Sequence, residues 1–148
     1  MLALVVAAAG CSARQDAGSS AASTAVIDGS VSGFESFSGM KLPAAATSLD
    51  IRASSDDAGK ARYLVGFDLP TDQVDQFCRD GQLSRPLRVI TIPQTTRATF
   101  NYQGDSSSGV RIGEASLPSN VNIQREVFIT GTHSPIAHVQ VYSYAFGR

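Results

Sequence analysis

Two neighbouring stretches of the chain alternate apolar and polar residues, which is typical of β-strands with one buried face. Residues 60–69 carry their apolar side chains at odd positions: Tyr63, Val65, Phe67 and Leu69. Residues 49–53 follow the same alternation: Leu49, Ile51 and Ala53. Between them, residues 54–59 contain only Ser, Asp, Ala and Gly, a composition that favours a turn. The pattern predicts a β-hairpin whose odd-numbered side chains face a core.

Further stretches are rich in β-branched and aromatic residues and are also predicted as strands. They are residues 87–92, 98–102, 110–112, 127–130 and 137–146. In the last of them, polar and aromatic residues alternate with apolar ones, so we expect one face to carry His138, Gln140, Tyr142 and Tyr144. The opposite face of the same strand is expected to carry Val139, Val141 and Ala145.

A helix is predicted at about 71–80. Thr71 is suited to cap its start, and Gly81 is suited to follow its end. The first turn carries two acidic residues, Asp72 and Asp75, as the helix dipole favours. The apolar residues recur at positions i, i+3 and i+4: Val74, Phe77 and Cys78. This spacing predicts that the helix packs on one face of the sheet and that Cys78 is a core residue. The fold class is therefore α+β, a mostly antiparallel sheet with one helix.

The N-terminal part of the chain differs in composition from the rest. Residues 1–10 contain an uncharged apolar run of about eight residues, far shorter than the roughly 20 that a transmembrane helix needs, which predicts a signal peptide. Residues 11–39 are dominated by Ser, Ala, Gly and Thr and are predicted as a flexible tether, with Phe34 or Phe37 as candidates for docking on the folded part. Residues 40–148 have the size of a single domain.

The net charge narrows the choice of partners. At a formal −1, the chain has no long-range field that would attract nucleic acid or an anionic membrane surface. We therefore expect neither of these as a partner. Cys11 and Cys78 are the two cysteines of the chain, and an oxidising compartment would permit a disulfide between them.

The succession Ala8-Ala9-Gly10-Cys11, which ends the apolar run, resembles the lipobox of bacterial lipoproteins. The resemblance implies that the thiol of Cys11 is acylated and that the chain is cut directly before it. It also implies that the protein is anchored through this lipid in the cell membrane, on the extracytoplasmic side. A lipidated Cys11 leaves Cys78 without a disulfide partner.

A second resemblance extends from Leu42 to Leu83. The succession Leu42-Pro43-Ala44, the strand at residues 63–70 and a helix containing Phe77 are similar to those of small lipoproteins and secreted proteins of actinobacteria. The resemblance implies a location and a fold, and it carries no activity and no catalytic residue.

One loop contains a candidate nucleophile. Residues 104–109 (Gly-Asp-Ser-Ser-Ser-Gly) are similar to the Gly-x-Ser-x-Gly turn of hydrolases, but the final glycine is displaced by one position and no helix is predicted to follow. In a second esterase pattern an acid precedes the histidine by three positions, and neither His133 nor His138 has one. The composition favours an ordinary turn, and a hydrolase using Ser106 or His133 stays as an alternative.

Metal binding and acid–base catalysis are less favoured. His133 and His138 lie five positions apart without a nearby acid or thiolate, so no metal site is predicted. Two carboxylate pairs are visible in the sequence: Asp56 with Asp57, and Asp72 with Asp75. The first pair is expected in a polar turn and the second at a helix start, and neither setting would raise one pKa selectively.

These observations favour a non-enzymatic, membrane-anchored module that binds a protein or another cell-envelope partner and needs no cofactor. The expected interaction face consists of His138, Gln140, Tyr142 and Tyr144. Two alternatives stay open: a small envelope hydrolase that uses Ser106 or His133, and a binder of a small ligand or metal through the His138 face.

Overall fold

The computed structural model describes residues 26–84, 86–89, 91–105 and 109–147. Its strands are β1 (Thr47–Ser55), β2 (Ala61–Pro70), β3 (Leu87–Arg88), β4 (Arg111–Leu117), β5 (Asn120–Thr130) and β6 (Ile136–Ala145). They form one six-stranded sheet in the order β1-β2-β6-β5-β4-β3. Each neighbouring pair is antiparallel, as the sequence predicts.

Short helices accompany this sheet: α1 (Val31–Ser38), α2 (Val74–Asp80) and α3 (Gln94–Thr99). The mostly antiparallel sheet of the predicted fold class is confirmed. The prediction of one helix is too simple, because the described ranges contain three short α-helices and a 3₁₀ turn at Thr71–Gln73. Among the residues described, no helix is both long and apolar enough to cross a bilayer.

The odd-numbered residues of β2 define the inner face of the sheet. On this face the predicted set of β2 is buried: Tyr63, Val65, Phe67 and Leu69. The neighbouring strands add Val127, Ile129, Ala137, Val139 and Val141 to the same core. The helical layer adds Phe34, Met40, Val74, Phe77 and Cys78. The inner face therefore holds the main core of the domain.

Helix α1 lies inside the segment predicted as a tether, residues 11–39. The side chain of Ser30 accepts a hydrogen bond from Gly33 N at its start, and Gly39 ends it in the left-handed conformation at φ 67°. Phe34 is fully buried against Tyr63, with 6.1 Å between ring centroids. The folded part therefore begins before the predicted boundary at residue 40, and the Ser- and Gly-rich composition conceals a capped helix whose Phe34 and half-buried Phe37 both pack on Tyr63.

Helix α2 begins later than the sequence predicts. The Thr71 hydroxyl does not cap it but donates to the carbonyl of Ser134, 2.6 Å away, in the loop before β6. The predicted apolar stripe is nevertheless buried, and Cys78 is only 2% exposed. Burial raises the pKa of the Cys78 thiol to about 11, so Cys78 is a core residue, as predicted.

The even-numbered residues of β2 define the outer face, which is covered only in part. Phe100 stacks on Phe128 of β5 with 5.1 Å between centroids and an interplanar angle of 13°. With Ile92 and Val110 these rings form a second buried cluster. The strand predicted at residues 98–102 is therefore wrong. Its aromatic residues pack onto the sheet from α3 and the turn after it instead of pairing within the sheet.

Two other strand predictions also need correction. The strand predicted at residues 87–92 is reduced to Leu87–Arg88. On β1, a bulge lies between Thr47 and Asp50, where Ser48 has a φ of 54°. Because the bulge interrupts the alternation, Leu49 is 44% exposed instead of facing the core, whereas Ile51 is half-buried as expected.

The guanidinium of Arg125, on the inner face of β5, joins four segments of the domain. The side chain is only 1% exposed, and no described carboxylate forms an ion pair with it. It donates to backbone carbonyls instead: Gly81 at 2.6 Å, Ser116 at 2.9 Å, Ala115 at 3.4 Å and Ser38 at 3.5 Å. Ser38 ends α1 and Gly81 follows α2, so the cation sits at the negative ends of two helix dipoles.

Replacing Arg125 should therefore destabilise the whole domain. We expect Arg125→Met to lower the free energy of unfolding by roughly 3 kcal/mol or more, since each buried carbonyl left without a donor costs about 1–3 kcal/mol. The stability of the Arg125→Lys protein should lie between those of the Arg125→Met and native proteins, because an ammonium group cannot span all four carbonyls. Urea unfolding measures both variants.

The control is Arg79→Met on α2, where the side chain is exposed. We expect this change to alter stability by no more than about 0.5 kcal/mol. If Arg125→Met were as stable as the control, the buried guanidinium would not hold the helices and strands together.

Candidate functional site

The side chains predicted to share a face of the last strand lie together on the outer face of β6. They are His138, Gln140, Tyr142 and Tyr144, and they alternate with the buried Val139, Val141 and Ser143. His138 is exposed and the other three are half-buried. The predicted alternation is therefore correct, and the role of this row as an interaction face stays a prediction.

His138 belongs to a polar network that crosses three strands. Its Nδ1 lies 2.9 Å from the carboxylate of Asp68, which is its partner in register on β2. The side chain of Ser48, at the bulge of β1, hydrogen-bonds the same carboxylate. These bonds, the one from His138 first, hold the pKa of Asp68 below its ordinary value.

The geometry of this network orients the imidazole. An ionised Asp68 accepts the Nδ1 hydrogen of His138, which leaves Nε2 as an acceptor toward a ligand whenever the ring is neutral. The ring also lies over Gly66, where an added Cβ would be 3.8 Å from both Cε1 and Nε2. His138 therefore lies beside Gly66 with room for one further methyl group at ordinary van der Waals distance.

The two tyrosines of the row stack on one another. Their ring centroids are 4.9 Å apart with an interplanar angle of 27°, and Phe146 continues the series at 6.4 Å from Tyr144. Phe100 meets Tyr142 edge-on at 6.5 Å. Burial raises the pKa of both tyrosines, so their hydroxyls stay protonated donors. Because each tyrosine covers part of its neighbour, the pair offers ring edges and hydroxyls to a partner.

A cleft of about 540 Å³ with two carboxylates adjoins this row, and sequence reasoning missed it. Glu114 on β4 and Glu126 on β5 face one another in register at its floor. Burial raises the pKa of Glu126, the hydrogen bond from the Tyr144 hydroxyl (3.3 Å) lowers it, and the charge of Glu114 raises it further. The walls contribute hydroxyl groups from Thr91, Thr95 and Thr96.

The hydrolase candidates lie elsewhere, in the loops around β4 and β6. Ser106 is outside the described residues. Gly109, which closes the same loop, accepts a hydrogen bond from the Thr132 hydroxyl at 2.6 Å. An added Cβ at Gly109 would be only 2.6 Å from the His133 ring, so the end of this loop packs against His133. The described contact is therefore between His133 and Gly109.

One carboxylate of each pair named in the sequence analysis has a described structural partner. Asp56 accepts hydrogen bonds from the backbone of Ala58 and Lys60 and closes the β1–β2 turn. Asp75 forms an ion pair with Arg111 at 2.6 Å. Within the described ranges, no group of three or more His, Cys, Asp or Glu side chains is arranged to hold a metal ion.

Comparisons of the chain with protein-family models, with curated proteins and with solved structures find no match. The site is therefore interpreted from its own geometry.

The facing carboxylates make a prediction about pH. Because the pKa of Glu126 is raised in the folded protein, folding holds its proton more tightly, and stability falls as pH rises through the interval between the unfolded and folded pKa values. Glu126→Gln should remove this loss and stabilise the protein at neutral pH, with about 0.2–1 kcal/mol from the relief of like charges across the strands.

Urea unfolding at pH values below and above the ordinary glutamate pKa tests this prediction. The two proteins should have similar stability at the acidic end, where Glu126 is protonated in both states, and should diverge as pH rises. Glu114→Gln is the matched control and should recover only the part due to charge repulsion. A Glu126→Gln protein less stable than the native one at neutral pH would contradict the prediction.

Proposed function

We propose that this chain is an extracytoplasmic binding module, anchored in the cell membrane through an acylated Cys11, whose outer sheet face docks a cell-envelope partner. The row of His138, Gln140, Tyr142 and Tyr144 carries the proposal. It combines an oriented imidazole, an amide and paired phenol hydroxyls on one strand of a rigid sheet, where the α3 layer leaves the outer face open to solvent.

The chemistry of the row favours recognition. Tyrosine is enriched at protein interfaces because it offers a large contact area and a hydroxyl at low entropic cost. The Asp68 carboxylate fixes the imidazole of His138, so a partner can bind it without ordering it first. The same row offers hydrogen-bond donors and acceptors to a small ligand, and binding of such a ligand is the alternative role of this surface.

The polar network supports binding over catalysis at this position. A serine nucleophile must hydrogen-bond the imidazole that takes its proton. In the network the Ser48 side chain bonds to the Asp68 carboxylate, and its described hydrogen bond is to that acid and not to the imidazole. Ser48 is therefore not activated by His138, and the network acts to orient the ring.

A hydrolase is the second candidate function, at a different place. It is favoured by one observation, the contact of His133 with Gly109, which ends the loop that contains Ser106. It would need Ser106 to approach the imidazole of His133 and a group to orient that ring. In the row on β6, the imidazole of His138 is already oriented by Asp68, and for this reason binding is the leading proposal.

The anchor is tested by fractionation. Cys11 lies outside the described residues, and its lipidation rests on the lipobox-like sequence. We expect Cys11→Ala to shift the protein from the membrane fraction to the soluble fraction in a lipoprotein-processing host, because the acyl chains supply the membrane affinity. Cys78→Ala is the matched control and should stay with the membrane. Membrane retention of the Cys11→Ala protein would contradict the proposed anchor.

The interaction face is tested by site-specific photocrosslinking in intact cells. A benzophenone amino acid in place of Gln140 should give a discrete adduct with an envelope component. The same probe in place of Arg79, exposed on α2 over the inner face, should not give it. Adding Tyr144→Ala should weaken the Gln140 adduct at least several-fold. Identical adducts from both positions, or no adduct from position 140, would contradict the proposal that this face is the interaction face.

A further inference from the structure

The two edges of the sheet differ in how their outward-facing backbone groups are hydrogen-bonded. At the β4 edge, Ser84 bonds to the backbone of Glu114 through both its amide and its hydroxyl, and Arg125 occupies the carbonyls of Ala115 and Ser116. The short strand β3 covers the beginning of β4. At the opposite edge, β1 forms its described backbone hydrogen bonds with β2 alone. No described residue pairs through its backbone with the outer side of β1 along residues 50–55.

The charges on β1 are arranged so that the strand complements itself. Asp50 and Arg52 lie on the outer face, and their side chains are 56% and 71% exposed. Within one chain they form an ion pair at 2.7 Å. Ile51, between them, points to the inner face and is half-buried. When two copies of such a strand lie antiparallel, the acid of each copy can lie opposite the base of the other.

The register of such a pairing is restricted by side-chain orientation. Residues directly opposite one another must point to the same face, so a symmetric antiparallel pair must be centred on a residue of β1. Centring on Asp50 places Asp50 against Asp50, and centring on Arg52 places Arg52 against Arg52. Centring on Ile51 places each Asp50 opposite an Arg52 of the other copy, twice by symmetry. Charge complementarity thus selects one register.

We propose that β1 pairs with β1 of a second copy of this chain, antiparallel and centred on Ile51, so that the two sheets become continuous. The register shift between Thr47 and Asp50, where Ser48 has a φ of 54°, limits regular pairing to about residues 50–52, that is, to the central Ile51 and the two Asp50–Arg52 pairs.

The affinity of this dimer follows from its small size. Three paired residues extend over roughly 10 Å, and a strand contact of this length buries much less than the 1,200–2,000 Å² of stable interfaces. We expect a dissociation constant between about 10 µM and 1 mM in solution. Copies confined to one membrane surface have a higher effective concentration, which favours the dimer there.

Sedimentation equilibrium of the full chain carrying Cys11→Ala, up to about 1 mM, tests the proposal. The unsubstituted sequence at β1 should show a concentration-dependent dimer. Asp50→Arg and Arg52→Asp should each weaken it at least tenfold, because either change places like charges in both symmetric pairs. The double change Asp50→Arg with Arg52→Asp should restore the dimer to within about threefold. Arg79→Asp on α2 is the matched control and should leave it unchanged.

Two results would overturn the proposal. One is a protein that stays monomeric over the whole concentration range. The other is a dimer that both single charge reversals leave intact, which would place the contact elsewhere on the surface. Both residues are exposed, and circular dichroism confirms that the variants are folded.

A disulfide trap tests the register independently. When Asp50→Cys chains are mixed with Arg52→Cys chains, the proposed pairing places the two new thiols opposite one another and keeps one Asp50–Arg52 pair. Mild oxidation should then give a mixed dimer at least tenfold faster than either chain alone. Equal rates in the mixture and in the separate chains would contradict centring on Ile51.

Discussion

The buried guanidinium of Arg125 is the interaction on which the arrangement of this domain depends. A charge without a carboxylate partner is costly to bury, and here its desolvation is offset by backbone carbonyls at the ends of α1 and α2 and on β4. One side chain of β5 thereby fixes two helices over the inner face and occupies the exposed carbonyls of an edge strand. The inner core, the helix positions and the closed edge are consequences of the same contact.

The outer face is only partly covered by other elements, and this determines its surface. The rings of Phe100 and Phe128 close the part of this face near β4 and β5, and beyond them the sheet presents polar and half-buried aromatic side chains. A surface of this kind is rigid because the buried core lies directly beneath it, and it is selective because His138 and Tyr144 have fixed hydrogen-bond partners. Recognition on such a strand costs little ordering entropy.

Much of the sheet could be predicted from alternation, and the errors have physical reasons. The patterns of β2 and β6 placed each side chain on its correct face, because these strands have one buried side throughout. Helix α1 was missed because only Phe34 and the half-buried Phe37 among its small and polar residues pack on the core. The Glu114–Glu126 pair could not be predicted, because an irregularity between Ser116 and Leu117 changes the β4–β5 register that a tight turn would give. The carbonyl partners of Arg125 come from three separate segments, and such contacts leave no local pattern.

Burial makes the thiol of Cys78 chemically inert in the folded domain. With a pKa of about 11, roughly one thiol in ten thousand is ionised at pH 7, and the side chain is shielded by α2 and the sheet. The folded domain can therefore meet oxidants and foreign disulfides without exchanging with them. The free state of Cys78 thus depends on the folding of α2 against the sheet, and unfolding is the event that would expose this thiol to oxidation.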